Sequence, residues 1–212
     1  MTCLGFGLGN LNDAMMEKIS NAGNGSYYYI DSEAELMKVF VAERERFVSV
    51  ANDAKCQVTF DADVVSQYRL IGYENRVMQA EDFNDDSKDA GEIGAGQTIT
   101  ALYELVLTDD AGSNVADADL MTFDFRYKKS LQASSVPLQK TLHVSDMTAT
   151  NTPSDDFYFA AGVAAYGMLL RQSPYKGDAS PAMARQLVGR GLSFDPHGYR
   201  AELLELMNSD ER

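Results

Sequence analysis

Six carboxylates fall within twelve residues: Glu81, Asp82, Asp85, Asp86, Asp89 and Glu92. They are the densest acidic run in the chain. Calcium takes roughly six to eight oxygen ligands from flexible loops, so Asp82, Asp85, Asp86, Asp89 and Glu92 are the candidate metal ligands. The spacing does not fit an EF-hand loop. Asp82, Asn84 and Asp86 fill the first three ligand positions, but Lys88 stands where a carbonyl ligand is usual. The glycine and the closing glutamate of that loop are also missing. A solvated loop of like charges is the plainer reading, and the two stay open at this stage.

Other chemistry-bearing patterns are weaker. Gly5-x-Gly7-x-Gly9 follows a strand-like run, but Asn10 stands where a dinucleotide loop needs its third glycine. Gly91-x-x-Gly94-x-Gly96 runs into a strand with no Lys-Ser/Thr after it, which suits a bulge or loop entry better than a phosphate. His143 and His197 are the two histidines, and neither has a second metal ligand at a usual spacing. There is no Gly-x-Ser-x-Gly and no Cys-His arrangement. Cys3 and Cys56 stand far apart in strand-like runs and are expected to be buried free thiols. No catalytic residue is singled out, and the chain is expected not to be an enzyme; the alternative is a calcium-regulated module or an enzyme that uses the acidic loop 81–92.

The elements that carry these residues read in three stretches. Residues 1–50 alternate strand, helix, strand, helix. An apolar run from Thr2 to Gly7 is the first strand. Asn10 is the expected cap of a helix with Leu11, Met15 and Ile19 at helical spacing. Tyr27 to Ile30 is the second strand, and alternation puts Tyr28 opposite Tyr27 and Tyr29. Ser32 with Glu35 forms a capping box that opens a helix carrying Leu36, Val39, Phe40 and Phe47 on one side. Strand-helix-strand with short connections implies a parallel pair.

Residues 51–150 switch to period 2. Cys56, Val58 and Phe60 alternate with polar neighbours, and Val65 to Tyr73 is a second run. Ile99 to Leu107 and Met121 to Tyr127 alternate strictly, and Leu138 to Val144 follows. Such alternation means antiparallel sheets with one face on a core, here a small sandwich. The polar side carrying Asp124, Arg126, Lys128 and Lys129 reads as a contact surface or as scattered surface charge. Residues 151–212 are helical. Phe157 to Arg171 is apolar nearly all round and is expected to be deeply buried. Ser180-Pro181 and Asp195-Pro196 mark two further helix starts. The fold class is therefore α+β: a βαβα remnant of a doubly wound α/β domain, an antiparallel β-sandwich, and C-terminal helices packed on it.

Composition narrows the partners. The formal charge is −14 over 212 residues. Phosphate backbones and anionic membrane surfaces attract Lys and Arg, so nucleic acid is not expected. No run reaches the ~20 apolar residues that a transmembrane helix needs, so no transmembrane segment is expected. Nothing at the N-terminus resembles a signal peptide.

Several words in this order resemble a known family. Leu4-Gly5-Phe6-Gly7, then Gly23-Asn24-Gly25 and the tyrosine-rich strand ending in Ile30-Asp31, resembles the last third of a von Willebrand factor type A domain. The stretch Tyr68-Arg69-Leu70-Ile71-Gly72-Tyr73-Glu74-Asn75-Arg76 and the acidic words Glu81 to Asp86 and Asp89 to Gly96 resemble the C-terminal domain of the bacterial YfbK group. Thr100 to Glu104, Gly167 to Arg171, Tyr175 to Ser180 and Gly198 to Glu202 continue that resemblance to the end of the chain.

The resemblance implies residues 1–50 as the type A remnant, 51–150 as the sandwich and 151–212 as the helices. It implies a bacterial cell-envelope or periplasmic setting and a non-catalytic role in protein interaction or scaffolding. Type A domains hold a divalent cation through an Asp-x-Ser-x-Ser motif that lies before this segment. That motif does not occur here, so no cofactor is expected in this chain, whereas the missing part of such a domain would bind a divalent cation. The remaining implication is physical. The strand at residues 2–7 would lack its usual neighbour, and an apolar open edge is a template for self-association or must be covered by the chain's own helices.

Overall fold

Cys3–Phe6 forms β1, Asp13–Ala22 forms α1 and Tyr27–Ile30 forms β2. The two strands pair in parallel, with Cys3 opposite Tyr27 and Phe6 opposite Ile30. The computed structural model describes residues 1–7, 9, 11–74, 76–109, 117–148 and 152–209. Asn10, the expected cap of α1, lies outside them. Asn12 does the capping, its Oδ1 accepting from the Met15 N–H at 3.1 Å. Gly7 turns the chain out of β1 at φ 93°, a left-handed conformation that glycine adopts without strain. The tyrosine triplet divides as the strand period requires. Tyr27 donates to Asp13 at 2.6 Å and Tyr29 to the Gly7 carbonyl, while Tyr28 lies against Phe47 with centroids 5.7 Å apart. Its bond to Asp13 pushes the Tyr27 phenol up to about 12.

The second helix is shorter than its apolar pattern suggests. Ser32 caps α2 (Glu33–Met37) by accepting from the Glu35 N–H, while the Glu35 carboxylate pairs with Lys38. The chain then passes through a π-helical turn, Lys38–Ala42, and a 3-10 turn, Arg44–Phe47. β-branched Val39 and Val41 lower the helical preference of this stretch. Val39 is fully buried, but Phe40 and Phe47 are exposed and stack on each other with centroids 5.9 Å apart.

The antiparallel strands fall into two sheets. In the first, β3 (Ser49–Phe60) pairs with β5 (Gly91–Gly94) on one side and β7 (Asp119–Lys128) on the other, and β8 (Val136–His143) lies next to β7. In the second, β4 (Val65–Ile71) pairs with β6 (Leu102–Leu107), with Arg69 opposite Glu104. These elements belong to two compact units, each gathered from several stretches. One comprises Met1–Phe60, Met78–Ile99 and Met121–Leu142; the other comprises Asp61–Val77, Thr100–Leu120 and His143–Arg212.

The helices of the second unit are α3 (Val144–Thr148), α4 (Asp155–Leu170), α5 (Pro181–Arg190) and α6 (Tyr199–Ser209). Ser154 and Ser180 cap α4 and α5, and Pro181 takes the first turn of α5. α4 is not sealed all round. Gly162 and Ala165 are buried, whereas Phe157, Val163 and Leu170 are exposed. The side that packs is the one with small residues. A Cβ on Gly162 would stand 2.7 Å from the Val188 nitrogen, so glycine sets the approach of α4 to α5. Ala165, Ala184, Val188 and Met207 form the core there, with Phe159, Tyr166, Leu169, Leu203 and Leu204 packed around it. Arg69 ties β4 to the turn after α4, donating to the Tyr175 carbonyl at 3.2 Å with its guanidinium over the Tyr175 ring.

Candidate functional site

The acidic run 81–92 is organised by cations of the chain itself. A 3-10 turn, Ala80–Asn84, opens it and buries Phe83 as a plug. From β3, Lys55 extends beneath the segment and donates to the backbone carbonyls of Asp82 and Asp85. From β7, Lys128 donates to the Asp86 carbonyl at 2.9 Å and to the Asp53 carboxylate at 2.6 Å. Arg126, two residues earlier, reaches Asn84 Oδ1 and Asp86 Oδ1, both at 2.8 Å. Lys55 is 4% exposed, Lys128 8% and Asp53 9%. Burying such groups is costly unless they are paired or hydrogen-bonded; Asp53 pairs with Lys128, and Lys55 is held by two backbone carbonyls.

A bulge makes this arrangement possible. The pairing of β3 with β7 slips between Asn52 and Lys55, and Asp53 sits in the slip at φ 47°. Bulges re-aim side chains, and this one places Ala51, Asp53 and Lys55 on the most buried side of β3. The expected inward set was Cys56, Val58 and Phe60, but Cys56 is exposed, and Cys3 is half-buried. Hydropathy alone assigns an Asp and a Lys to solvent. Arg126 and Lys128 likewise turn to the acidic segment and do not form a free contact surface.

The five candidate ligands go to different partners. Asp82 pairs with Lys88 at 3.3 Å. Asp85 accepts from the Ser87 N–H and hydroxyl, which hold its carboxyl below the usual range. Asp86 is lowered likewise, by the Ser135 hydroxyl first and by Arg126. Asp89 accepts from Asn24 Nδ2 at 2.7 Å. Glu92 stands on β5. Among the described residues no three His, Cys, Asp or Glu groups are gathered so as to hold a metal ion. A cleft of about 400 Å³ beside the segment is lined by Phe83, Asn84, Phe125, Arg126, Leu138 and Gln139. Its Arg126 is committed to Asn84 and Asp86, and its Gln139 amide donates to Asp124 at 2.7 Å. The histidines are spent locally: His143 Nδ1 lies 2.9 Å from Asp119, and His197 stacks on Tyr199.

Glu92 gives the segment a pH signature. Burial first, then Asp89, holds its carboxyl above the ordinary glutamate range. The folded chain therefore binds this proton more tightly than the unfolded chain. The resulting stability is present below the ordinary glutamate pKa and is lost as pH rises through the raised one. Glu92→Gln should flatten the fall of the urea midpoint across that window. A slope unchanged from wild type would show that Glu92 does not titrate there. Asp85 and Asp86 act with the opposite sign, because their contribution is lost as pH falls.

The other candidate surface is the open edge of β1. Among the described residues β1 pairs with β2, and its second edge carries no strand. Phe6 (60% exposed), Met15 (54%), Met37 (50%), Val48 (61%) and Val50 (53%) leave large apolar side chains in water on the first fifty residues. No described helix is long and apolar enough to cross a membrane.

Comparison with known proteins gives two matches. Residues 45–212 match the family model described as "Uncharacterized protein YfbK, C-terminal". The "Uncharacterized protein YfbK" of Escherichia coli (strain K12) is 38% identical over an alignment 226 positions long that covers 98% of this chain. The chain spans 38% of that protein's length. No solved structure matches.

Proposed function

The chain belongs to the family defined by the C-terminal domain of YfbK, and on that premise we propose that it is a non-catalytic interaction or scaffolding module that associates through the β1 edge. In this reading residues 1–50 are the end of a von Willebrand factor type A domain, 51–150 and 151–212 are its sandwich and helical parts, and the module carries no catalytic group or cofactor of its own.

The observation that carries this reading is the bare parallel pair. Parallel sheets occur almost entirely with both faces covered, because their strands are apolar on both sides. A two-stranded sheet is marginal by itself. Here β1 and β2 stand as two strands, with Phe6 at 60% exposure on the outer one. An open apolar strand edge is a template for pairing with another strand. The occupant of that edge is an apolar strand added to β1. In the isolated chain a second copy takes that place.

The test is sedimentation of the full chain against a Phe6→Lys variant. Charges on an edge strand block pairing. The wild type should associate in a concentration-dependent way, and the variant should need at least about tenfold higher concentration, equivalent to losing one well-buried apolar contact. Equal behaviour of the two would overturn the reading.

A further inference from the structure

The sequence contains one Asn-Gly pair, Asn24-Gly25, and it stands at a mechanically sensitive place. It forms the turn between α1 and β2. Asn24 is exposed and held in the left-handed region at φ 47°. Its side-chain amide donates to Asp89, 65 residues away, and so fastens the turn to the acidic segment. The Gly25 N–H donates to the Ser20 carbonyl at 2.9 Å. Two hydrogen bonds thus restrain the two groups that can react with each other.

We propose that Asn24-Gly25 is a self-modification site, a succinimide-forming pair that the Asn24–Asp89 hydrogen bond holds in check. The step needs only water. Once the turn opens, the Gly25 nitrogen gives up its proton to solvent and attacks Asn24 Cγ. The N–Cγ bond forms, the Cγ–Nδ2 bond breaks, and ammonia leaves with a solvent proton. Water then adds to either carbonyl of the ring and opens it to aspartate or isoaspartate. Glycine matters because no side chain shields the attacking nitrogen. Opening matters because Gly25 cannot attack while its N–H is bonded inside the helix end.

The product reverses the contact. Where an amide N–H₂ donated to Asp89, a carboxylate now faces a carboxylate. A donor becomes an acceptor, and like charges repel at that distance. Isoaspartate also adds a backbone carbon just before β2, at the strand that supports β1.

The full chain is held at neutral pH and physiological temperature, and the tryptic peptide Ile19–Lys38 is followed for the mass gain of amide-to-acid conversion. Wild type should convert slowly at Asn24. Asp89→Ala should convert about tenfold faster, the factor expected for losing one hydrogen bond to a charged group. Asp89→Asn keeps a neutral acceptor at the same place and should convert at a rate between wild type and Asp89→Ala, which separates loss of the bond from a general loosening of the fold. Asn24→Gln should show no conversion at this position. Equal rates in wild type and Asp89→Ala, or no conversion at Asn24 in either, would overturn the proposal.

Discussion

Ala165→Asp is expected to unfold the α4–α5–α6 part of the second unit. Ala165 is 5% exposed and packs with Ala184, Val188 and Met207. The new carboxylate would sit among the apolar side chains of that core. An uncompensated buried charge costs about 3–5 kcal/mol, against a total stability for a domain of only about 5–15 kcal/mol. The neighbouring Ala164 is half-buried, so Ala164→Asp should cost clearly less. Hydrogen exchange read on peptides from 155–209 checks this. Collapse of protection in Ala165→Asp alone is the expected result. Equal protection in both variants would mean that this side of α4 is not the packed one.

Lys55→Met should be the most damaging single change in the first unit. Its ammonium is the internal cation of the acidic segment, donating to the carbonyls of Asp82 and Asp85 from a position 4% exposed. Methionine keeps most of the volume but removes both donors. Each buried acceptor left without a partner costs about 1–3 kcal/mol, so the expected loss for the two is about 2–6 kcal/mol. Lys55→Arg should not restore it, because a planar fork does not fit two carbonyls arranged around a compact ammonium. The thermal midpoint of the wild type should not move when calcium is exchanged for a chelator. A midpoint in Lys55→Met within error of wild type would show that the lysine does not hold the segment.

The contrast between these two residues shows what the sequence makes legible. The strands announce themselves wherever alternation is strict. Phe123, Phe125 and Tyr127 stack in a row along β7, with successive centroids 6.3 and 5.8 Å apart, as their period requires. The serine caps of α2 and α5 are local signals and sit where their spacing puts them. Ile99 fits the alternation of β6, yet the strand begins at Leu102, because ladder pairing and not pattern ends a strand. α4 is apolar all round, and its burial is settled by Gly162 and Ala165, small residues that a hydropathy reading weighs least.

The acidic segment was visible as a cluster of charge, but its organisation was not. Asp53, Lys55 and Lys128 are polar residues whose burial depends on one bulge in β3 and on partners 27 to 75 residues distant. No local period reports a slip of that kind. The same holds for Asn24 and Asp89, which meet only once the chain has folded. The open side of β1, by contrast, follows from local reading: a short apolar strand, a helix and a second strand imply a parallel pair, and such a pair needs neighbours.

Amide exchange of Cys3–Phe6, measured by NMR at increasing concentration alongside sedimentation, tests the association reading most directly. The expected outcome is that the β1 amides not bonded to β2 slow as the chain associates. A chain that stays strictly monomeric, with those amides exchanging rapidly at every concentration, would contradict it.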